Sequence, residues 1–80
     1  GKVACYILDT MDKRYPDNLF NRYGNINYNI DDVILAYEEI GKKRGCIVSG
    51  GDIDYDKVSS IIIKDLREGK LGKVTFDEVN

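Results

Sequence analysis

Alternating acidic residues are the first pattern in this sequence with the spacing of an ion-binding site. Asp52, Asp54 and Asp56 match the first three ligand positions of a calcium loop. Such a loop needs Gly at its sixth position and a bidentate Glu at its twelfth, and this sequence has Lys57 and Ile63 there. The three aspartates therefore indicate the N-cap and first turn of a helix, where carboxylates offset the positive helix end.

Glycine-lysine pairing raises the question of nucleotide binding. Gly72-Lys73 is followed by Val74, where a phosphate-binding loop needs Ser or Thr to hold magnesium, and no glycine stands at the required upstream spacing. Gly50-Gly51 is typical of a turn. The sequence therefore predicts no nucleotide-binding motif and no cofactor in this chain.

The residues of nucleophilic and metal-dependent catalysis are scarce. The chain has no His and two Cys, Cys5 and Cys46, which excludes a Ser–His–Asp triad, a Cys–His pair and a four-ligand zinc site. Neighbouring carboxylates such as Glu38 and Glu39 project at different angles from a helix and do not converge on one point. We expect no catalytic residue and no metal site, and hence no enzyme activity in this chain.

Two groups of cationic residues favour contact with an anionic polymer instead. Lys42, Lys43 and Arg44 end a predicted helix, where cations also complement the helix dipole. The second group consists of Lys64, Arg67, Lys70 and Lys73. If the two groups converge on one face, they form a phosphate-contacting surface in which Arg44 and Arg67 suit forked contacts. All seven are candidate nucleic-acid-binding residues, and dipole complementation with solubility is the alternative explanation for the first group.

The net charge of −2 conceals this asymmetry. Residues 1–39 carry four basic against seven acidic residues, whereas residues 42–73 carry eight basic against five acidic residues. A sequence pI near 5.0 therefore does not exclude an anionic partner, and it requires only that a basic face be local.

The hydrophobic pattern predicts the helices that position these residues. The spacing of one helix face is found at Val3, Ala4, Ile7, Leu8 and Met11. This helix ends at Tyr15-Pro16, because proline and the residue before it do not continue a helix. A short second helix begins at that proline and stops at a glycine, residue 24.

The second half of the chain predicts two longer helices. Asn29 is a suitable N-cap for a third helix with an apolar stripe, and Asp54 caps a fourth that stops at Gly69. The stripe consists of Ile30, Val33, Ile34, Tyr37 and Ile40. We expect an all-α fold, a small bundle of about four to five helices, followed by a short extended C-terminal tail in which Val74 and Phe76 fold back onto the helices.

Length and composition predict a single domain over residues 1–80. Apolar residues make up 42% of the chain, enough for a core, and no apolar run approaches the roughly 18 residues of a membrane span. The two Cys are expected to be reduced core residues, which indicates a cytoplasmic protein. A start without Met suggests a fragment of a longer protein. We expect a monomer that does not contact membranes.

Four motifs occur in a fixed order along nearly the whole chain. They are Tyr15-Pro16-x-x-Leu19-x-x-Arg22-Tyr23-Gly24, Ile40-Gly41-x-Lys43-Arg44-Gly45, Gly50-Gly51-x-Ile53-Asp54 and Asp65-Leu66-Arg67-x-Gly69-Lys70-Leu71-Gly72-Lys73-Val74. Together they resemble the C-terminal domain of the bacterial ribosome-biogenesis GTPase RbgA (YlqF) family.

This resemblance implies a function and a parent protein. In the family, a circularly permuted GTPase domain, which would hold GTP and Mg²⁺, lies upstream of a helical domain similar to ANTAR-type RNA-binding domains. The family acts in late maturation of the large ribosomal subunit, so the implied partners are large-subunit rRNA, the ribosomal precursor and the chain's own GTPase domain. The family's basic positions match Lys43, Arg44, Arg67, Lys70 and Lys73, whereas Lys42 and Lys64 depend on the local charge argument.

Two other functions remain open from the residues. A protein-interaction or intramolecular regulatory module would pack on the GTPase domain or a ribosomal protein through an apolar patch. A helix-turn-helix DNA reader fits less well, because the link between residues 45 and 54 is long for that turn and no cluster of Asn, Gln and Arg opens the last helix.

Overall fold

The computed structural model describes residues 2–26, 28–29 and 31–74, and in this part of the chain it contains four helices. They are α1 (Lys2–Arg14), α2 (Pro16–Tyr23), α3 (Val33–Arg44) and α4 (Tyr55–Arg67). An isolated antiparallel bridge between Ile47 and Ile53 is the β-pairing found among these residues. The prediction of a small all-α bundle is confirmed, while its similarity to ANTAR-type domains stays a prediction.

The boundary between α1 and α2 lies where the sequence predicts it. α1 ends one residue before Tyr15, and Pro16 occupies the first turn of α2, where its missing N–H costs no hydrogen bond. α2 ends at Gly24, which has a φ of 78° and donates its N–H to the Phe20 carbonyl at 2.7 Å. A non-glycine residue would rarely adopt this conformation.

The start of α3 differs from the prediction. Asn29 does not cap the helix, because its side-chain Oδ1 accepts from the Asp31 N–H at 2.8 Å and its carbonyl accepts from the Asp32 N–H at 2.9 Å. Asn can cap a helix or form a local turn, and Asn29 forms the turn. The helix begins at Val33 instead, and the predicted stripe residue Ile30 lies outside the described residues.

The link from α3 to α4 is closed by a glycine and an aspartate. Gly45 is left-handed, and its N–H and that of Cys46 both reach the Gly41 carbonyl. Asp54 Oδ1 accepts from the Lys57 N–H at 3.1 Å, which confirms the N-cap interpretation of the alternating aspartates.

The core forms where α1 packs against α2 and α4, and α4 packs against α3. Its buried side chains are Ala4, Ile7, Leu8, Met11, Leu19, Tyr23, Ala36, Tyr37, Ile40, Cys46, Val58, Ile62 and Leu71. Two predicted stripe residues are exposed, Val3 at 60% and Ile34 at 59%. Apolar residues cover a wider arc of α1 and α3 than the other helices can bury.

The C-terminal tail starts later than the sequence predicts. Residues 68–71 form turns and bury Leu71 in the core, which the sequence analysis missed. Val74 packs partly against the core as expected, whereas Phe76 lies outside the described residues. The basic residues that follow α4 are therefore attached to a fixed turn.

Candidate nucleic-acid interface

The C-terminal ends of α2, α3 and α4 meet and bring four cationic side chains together. These are Arg22 on α2, Lys43 and Arg44 on α3, and Lys70 in the turn after α4. We call this group the basic surface. Arg44 contacts Arg22, and Lys43 contacts Tyr23, the residue after Arg22. Lys70 and Arg22 line the same pocket.

A buried carboxylate anchors the basic surface. Asp65 is 3% exposed and accepts from Arg22 Nε at 2.9 Å, from Arg22 Nη2 at 3.1 Å and from the Tyr23 hydroxyl at 2.7 Å. Burial alone would raise the pKa of Asp65, but these hydrogen bonds and the charges of Arg22 and Arg44 outweigh it, and its pKa is lowered. Asp65 therefore stays ionised and holds the Arg22 guanidinium in one orientation.

The same network raises the pKa of the two groups that donate to Asp65. For Tyr23 the main cause is burial, followed by its hydrogen bond to the carboxylate. For Arg22 the main cause is the hydrogen bond to Asp65 itself. Arg22 and Tyr23 therefore keep their protons at physiological pH.

The two cations of α3 bind the backbone at the end of α2. Lys43 Nζ donates to the Tyr23 carbonyl at 2.8 Å, and Arg44 Nη2 donates to the Arg22 carbonyl at 2.9 Å. The Arg44 guanidinium also lies 5.5 Å from the centre of the Tyr23 ring. Lys43 and Arg44 therefore complement the C-terminal carbonyls of a neighbouring helix, in addition to ending their own.

The cations of α4 and the turn after it are held more loosely. Glu68 lies 3.2 Å from Lys70 Nζ and 3.9 Å from Lys64 Nζ, and all three side chains are well exposed. Such surface pairs contribute at most about 1 kcal/mol, so the lysines are available to another anion. Arg67, in the last turn of α4, and Lys73, which follows the turn after it, are also exposed.

The structure thus brings together some of the predicted RNA-binding residues and separates one. Lys43, Arg44 and Lys70 belong to the basic surface, and Lys64 is connected to it through Glu68. Lys42 lies in a separate hollow with Glu38 and Asp52, because adjacent helix positions point about 100° apart. The RNA-binding role of all seven residues stays a prediction.

Arg22 was missed by the sequence analysis. It lies in the acidic half of the chain, where the net charge concealed it. Its position in the last turn of α2 was an available signal, since basic residues at helix C-termini also predicted the contribution of α3. No sequence pattern indicated that Asp65 would pair with it from 43 positions away.

A second surface lies at the N-terminal parts of α1, α3 and α4. Its residues Lys2, Cys5, Val33, Ile34, Tyr37 and Tyr55 line an open cavity of about 560 Å³. We call it the apolar groove. The Tyr37 hydroxyl at its base accepts from Ser59 Oγ at 3.1 Å, and burial is the main cause that raises the Tyr37 pKa to about 12. Apart from Lys2, the groove offers apolar and aromatic surface.

The expected absence of a metal or nucleotide site stays a prediction. No group of three or more His, Cys, Asp or Glu residues that could hold a metal ion occurs within residues 2–26, 28–29 and 31–74. Gly72-Lys73 follows α4, and the expectation that this chain holds neither GTP nor Mg²⁺ stays a prediction. None of the described helices is long and apolar enough to cross a membrane.

Sequence comparisons connect the chain to characterised proteins. No protein-family model matches it. The chain is 49% identical over 75 residues to the ribosome biogenesis GTPase A of Bacillus cereus, a match that covers 94% of this chain and 25% of that protein. It is 38% identical to the protein of the same name from Priestia megaterium and 40% identical to that of Bacillus licheniformis, each over 95% of this chain and 26% of the relative.

The chain spans about a quarter of the length of these relatives. Within that quarter, the similarity extends over nearly all of this chain and thus includes the helices that form the basic surface. The matches confirm the resemblance that the four motifs indicate: this chain carries a domain of the ribosome biogenesis GTPase A family.

Proposed function

We propose that this chain is the rRNA- and ribosome-binding module of a circularly permuted GTPase that acts in late assembly of the large ribosomal subunit. The observation that carries the proposal is the convergence of Arg22, Lys43, Arg44 and Lys70 on one surface. The names of the relatives, which are ribosome biogenesis GTPases, supply the biological setting. The partners would be large-subunit rRNA and the ribosomal precursor in the cytoplasm.

The geometry of the basic surface suits a phosphate backbone. Two arginines and a lysine are oriented by hydrogen bonds before any ligand arrives, so little side-chain entropy is lost on binding. Among residues 2–26, 28–29 and 31–74, the carboxylates in these contacts are Asp65, which is buried and bonded to Arg22 and Tyr23, and the exposed Glu68. RNA phosphates would therefore meet a locally positive surface despite the negative net charge.

The division of labour in the parent protein follows from this proposal. The GTPase domain would bind GTP and Mg²⁺. The helical domain described here would place the GTPase domain on the maturing subunit. Phosphate contacts fix position and orientation without reading sequence, so shape and unpaired nucleotides would select the rRNA site.

The test uses the exposed cations, whose removal leaves the Asp65 network intact. In one variant Arg67, Lys70 and Lys73 are changed to Gln. In the matched control Lys2, Lys42 and Lys57, which lie away from the basic surface, are changed to Gln, so both variants lose the same charge. Binding to large-subunit precursors is measured by pelleting and to rRNA fragments by fluorescence polarisation over a salt series.

We expect the first variant to bind several-fold more weakly and the control to bind like the wild type. Each phosphate contact contributes about −0.7 to −0.9 to the slope of log affinity against log salt, so the first variant should also bind with a shallower slope. Circular dichroism checks that both variants keep their helices. Equal losses in both variants, or a wild-type chain that binds neither precursor nor rRNA, would contradict the proposal.

The apolar groove favours a second candidate function, an interaction module for the GTPase domain or a ribosomal protein. Ile34 at its rim is 59% exposed, and contiguous apolar surface of this kind is typical of protein contacts. Ile34→Asp tests this candidate. It should abolish such a complex without unfolding the chain, and the wild-type complex should tolerate salt, whereas RNA binding should not.

A further inference from the structure

A polar pocket adjoins the basic surface and has a composition different from that of the apolar groove. Asn18, Asn21, Arg22, Lys70, Leu71 and Gly72 line a cavity of about 310 Å³. We call it the amide pocket. Its volume is at the lower end of the range for small-molecule pockets, about 300–1,000 Å³. It would therefore fit one small group and not a helix of RNA or protein.

The walls of the amide pocket are held by contacts between α2 and the turn after α4. Asn18 Nδ2 donates to the Leu71 carbonyl at 2.9 Å, and Leu71 is anchored in the core. A Cβ at Gly72 would collide with the Asn18 amide, and the φ of Gly72 is +85°. The pocket thus depends on glycine at this position.

Polar groups in the amide pocket are available for a ligand. Two of the five N–H groups of Arg22 are used by Asp65, and the others are left for an anion. Asn18 uses its amide nitrogen on Leu71 and keeps its Oδ1 as an acceptor, while the exposed Asn21 offers a donor and an acceptor. The two cations, Arg22 and Lys70, suit a phosphodiester, and the two amides, Asn18 and Asn21, suit the edge of a base.

We propose that the amide pocket receives one unpaired nucleotide of the bound RNA. This inference rests on the proposed function, because the basic surface would hold the flanking phosphates. Arg22 and Lys70 would contact the phosphate of the inserted nucleotide, and the amides of Asn18 and Asn21 would bond to the edge of its base. A base inside a duplex stack cannot enter a concave pocket, so a bulge or loop is required.

The experiment uses fluorescence polarisation to compare the binding of the 80-residue chain to two RNA hairpins that differ by a single bulged nucleotide. The wild type should bind the bulged hairpin about five- to tenfold more tightly, the effect of one or two hydrogen bonds to a base edge. Asn21→Ala should abolish this preference and leave the affinity for the paired hairpin unchanged. Asn25→Ala, an exposed asparagine outside the amide pocket, should keep the preference.

The outcomes separate this inference from the function on which it rests. If the wild type binds both hairpins equally, or if Asn21→Ala and Asn25→Ala behave alike, the amide pocket does not receive a nucleotide, and the proposed RNA binding stands. If the wild type binds neither hairpin, both fail. Gly72→Ala provides a second variant, which should lose the preference because its Cβ displaces Asn18, with thermal unfolding confirming that the chain folds.

Discussion

The basic surface and the apolar groove lie at different ends of the helices and are built in different ways. At the basic surface, a buried carboxylate and backbone carbonyls hold Arg22, Lys43 and Arg44 by hydrogen bonds. In the apolar groove, most of the lining is apolar or aromatic, and exposed side chains such as Ile34 have no polar group to fix them. The basic surface is preorganised to bind an anion, whereas the apolar groove would gain free energy only when a partner buries its apolar surface.

This difference teaches that the cations fall into two kinds. Arg22, Lys43 and Arg44 join α2 to α3 and α4, so their loss affects stability as well as any anion contact. Lys70, Arg67 and Lys73 are exposed, so their loss affects mainly the anion contact. A charge count on the sequence treats both kinds alike.

Asp65→Asn should produce the largest effect, because it removes the anchor of the basic surface. An amide cannot accept both Arg22 N–H groups and the Tyr23 hydroxyl as an anion does, and the guanidinium loses its ion pair. We expect a loss of about 3 kcal/mol in the free energy of unfolding, measured by urea denaturation. Asp52→Asn, at an exposed position, should change it by less than about 0.5 kcal/mol.

The pH dependence of the same variant sharpens the result. Since the pKa of Asp65 is lowered in the folded chain, its contribution is present above the unfolded value of about 3.9 and is lost as the pH falls through the folded value. The stability difference between wild type and Asp65→Asn should therefore be constant near neutral pH and shrink below about pH 4. A difference as large at pH 2 as at neutral pH would contradict the anchoring role of the Asp65 carboxylate.

Tyr37→Phe is the corresponding change at the base of the apolar groove, and its effect should be smaller. It removes the acceptor of the Ser59 hydroxyl, a neutral hydrogen bond in a buried place. The expected loss is about 1 kcal/mol in the free energy of unfolding. Tyr55→Phe, whose ring lies 6.3 Å from Tyr37 at a more exposed position, is the control and should be near neutral.

The comparison of Lys70 with Lys42 separates position from charge. Lys70→Gln should lower RNA affinity about threefold and reduce the salt slope by about 1, as for one lost phosphate contact. Lys42→Gln should leave both unchanged, because Lys42 lies in a hollow with Glu38 and Asp52. Equal effects of the two changes would mean that overall charge and not the basic surface determines binding.

Local signals were sufficient to predict the helices. Pro16, Gly24, Gly45 and Asp54 end or begin helices where the sequence predicts, because each acts through backbone geometry within a few residues. The predicted start of α3 was wrong because Asn29 could form either an N-cap or a local turn. It forms the turn, and the helix begins later, at Val33.

The site was less predictable than the fold, for a physical reason. The basic residues of α3 and α4 were visible as clusters, but the carboxylate that orients Arg22 comes from a distant helix and depends on packing. Leu71 is a second example. The sequence predicted that it belongs to an extended tail, but in the structure it is buried in the core and fixes the turn that carries Lys70. Pairing across helices leaves no periodic trace in a single sequence.

Ile34→Ser should have the smallest effect on stability. Ile34 is exposed, so little apolar surface is buried there, and the free energy of unfolding should change by less than about 0.5 kcal/mol. RNA affinity should not change either, because the residue lies at the apolar groove. If Ile34 contacts a protein partner, the same substitution should weaken that complex, while thermal unfolding and RNA affinity stay at wild-type values. This combination of results would assign the two ends of the helices to two different partners.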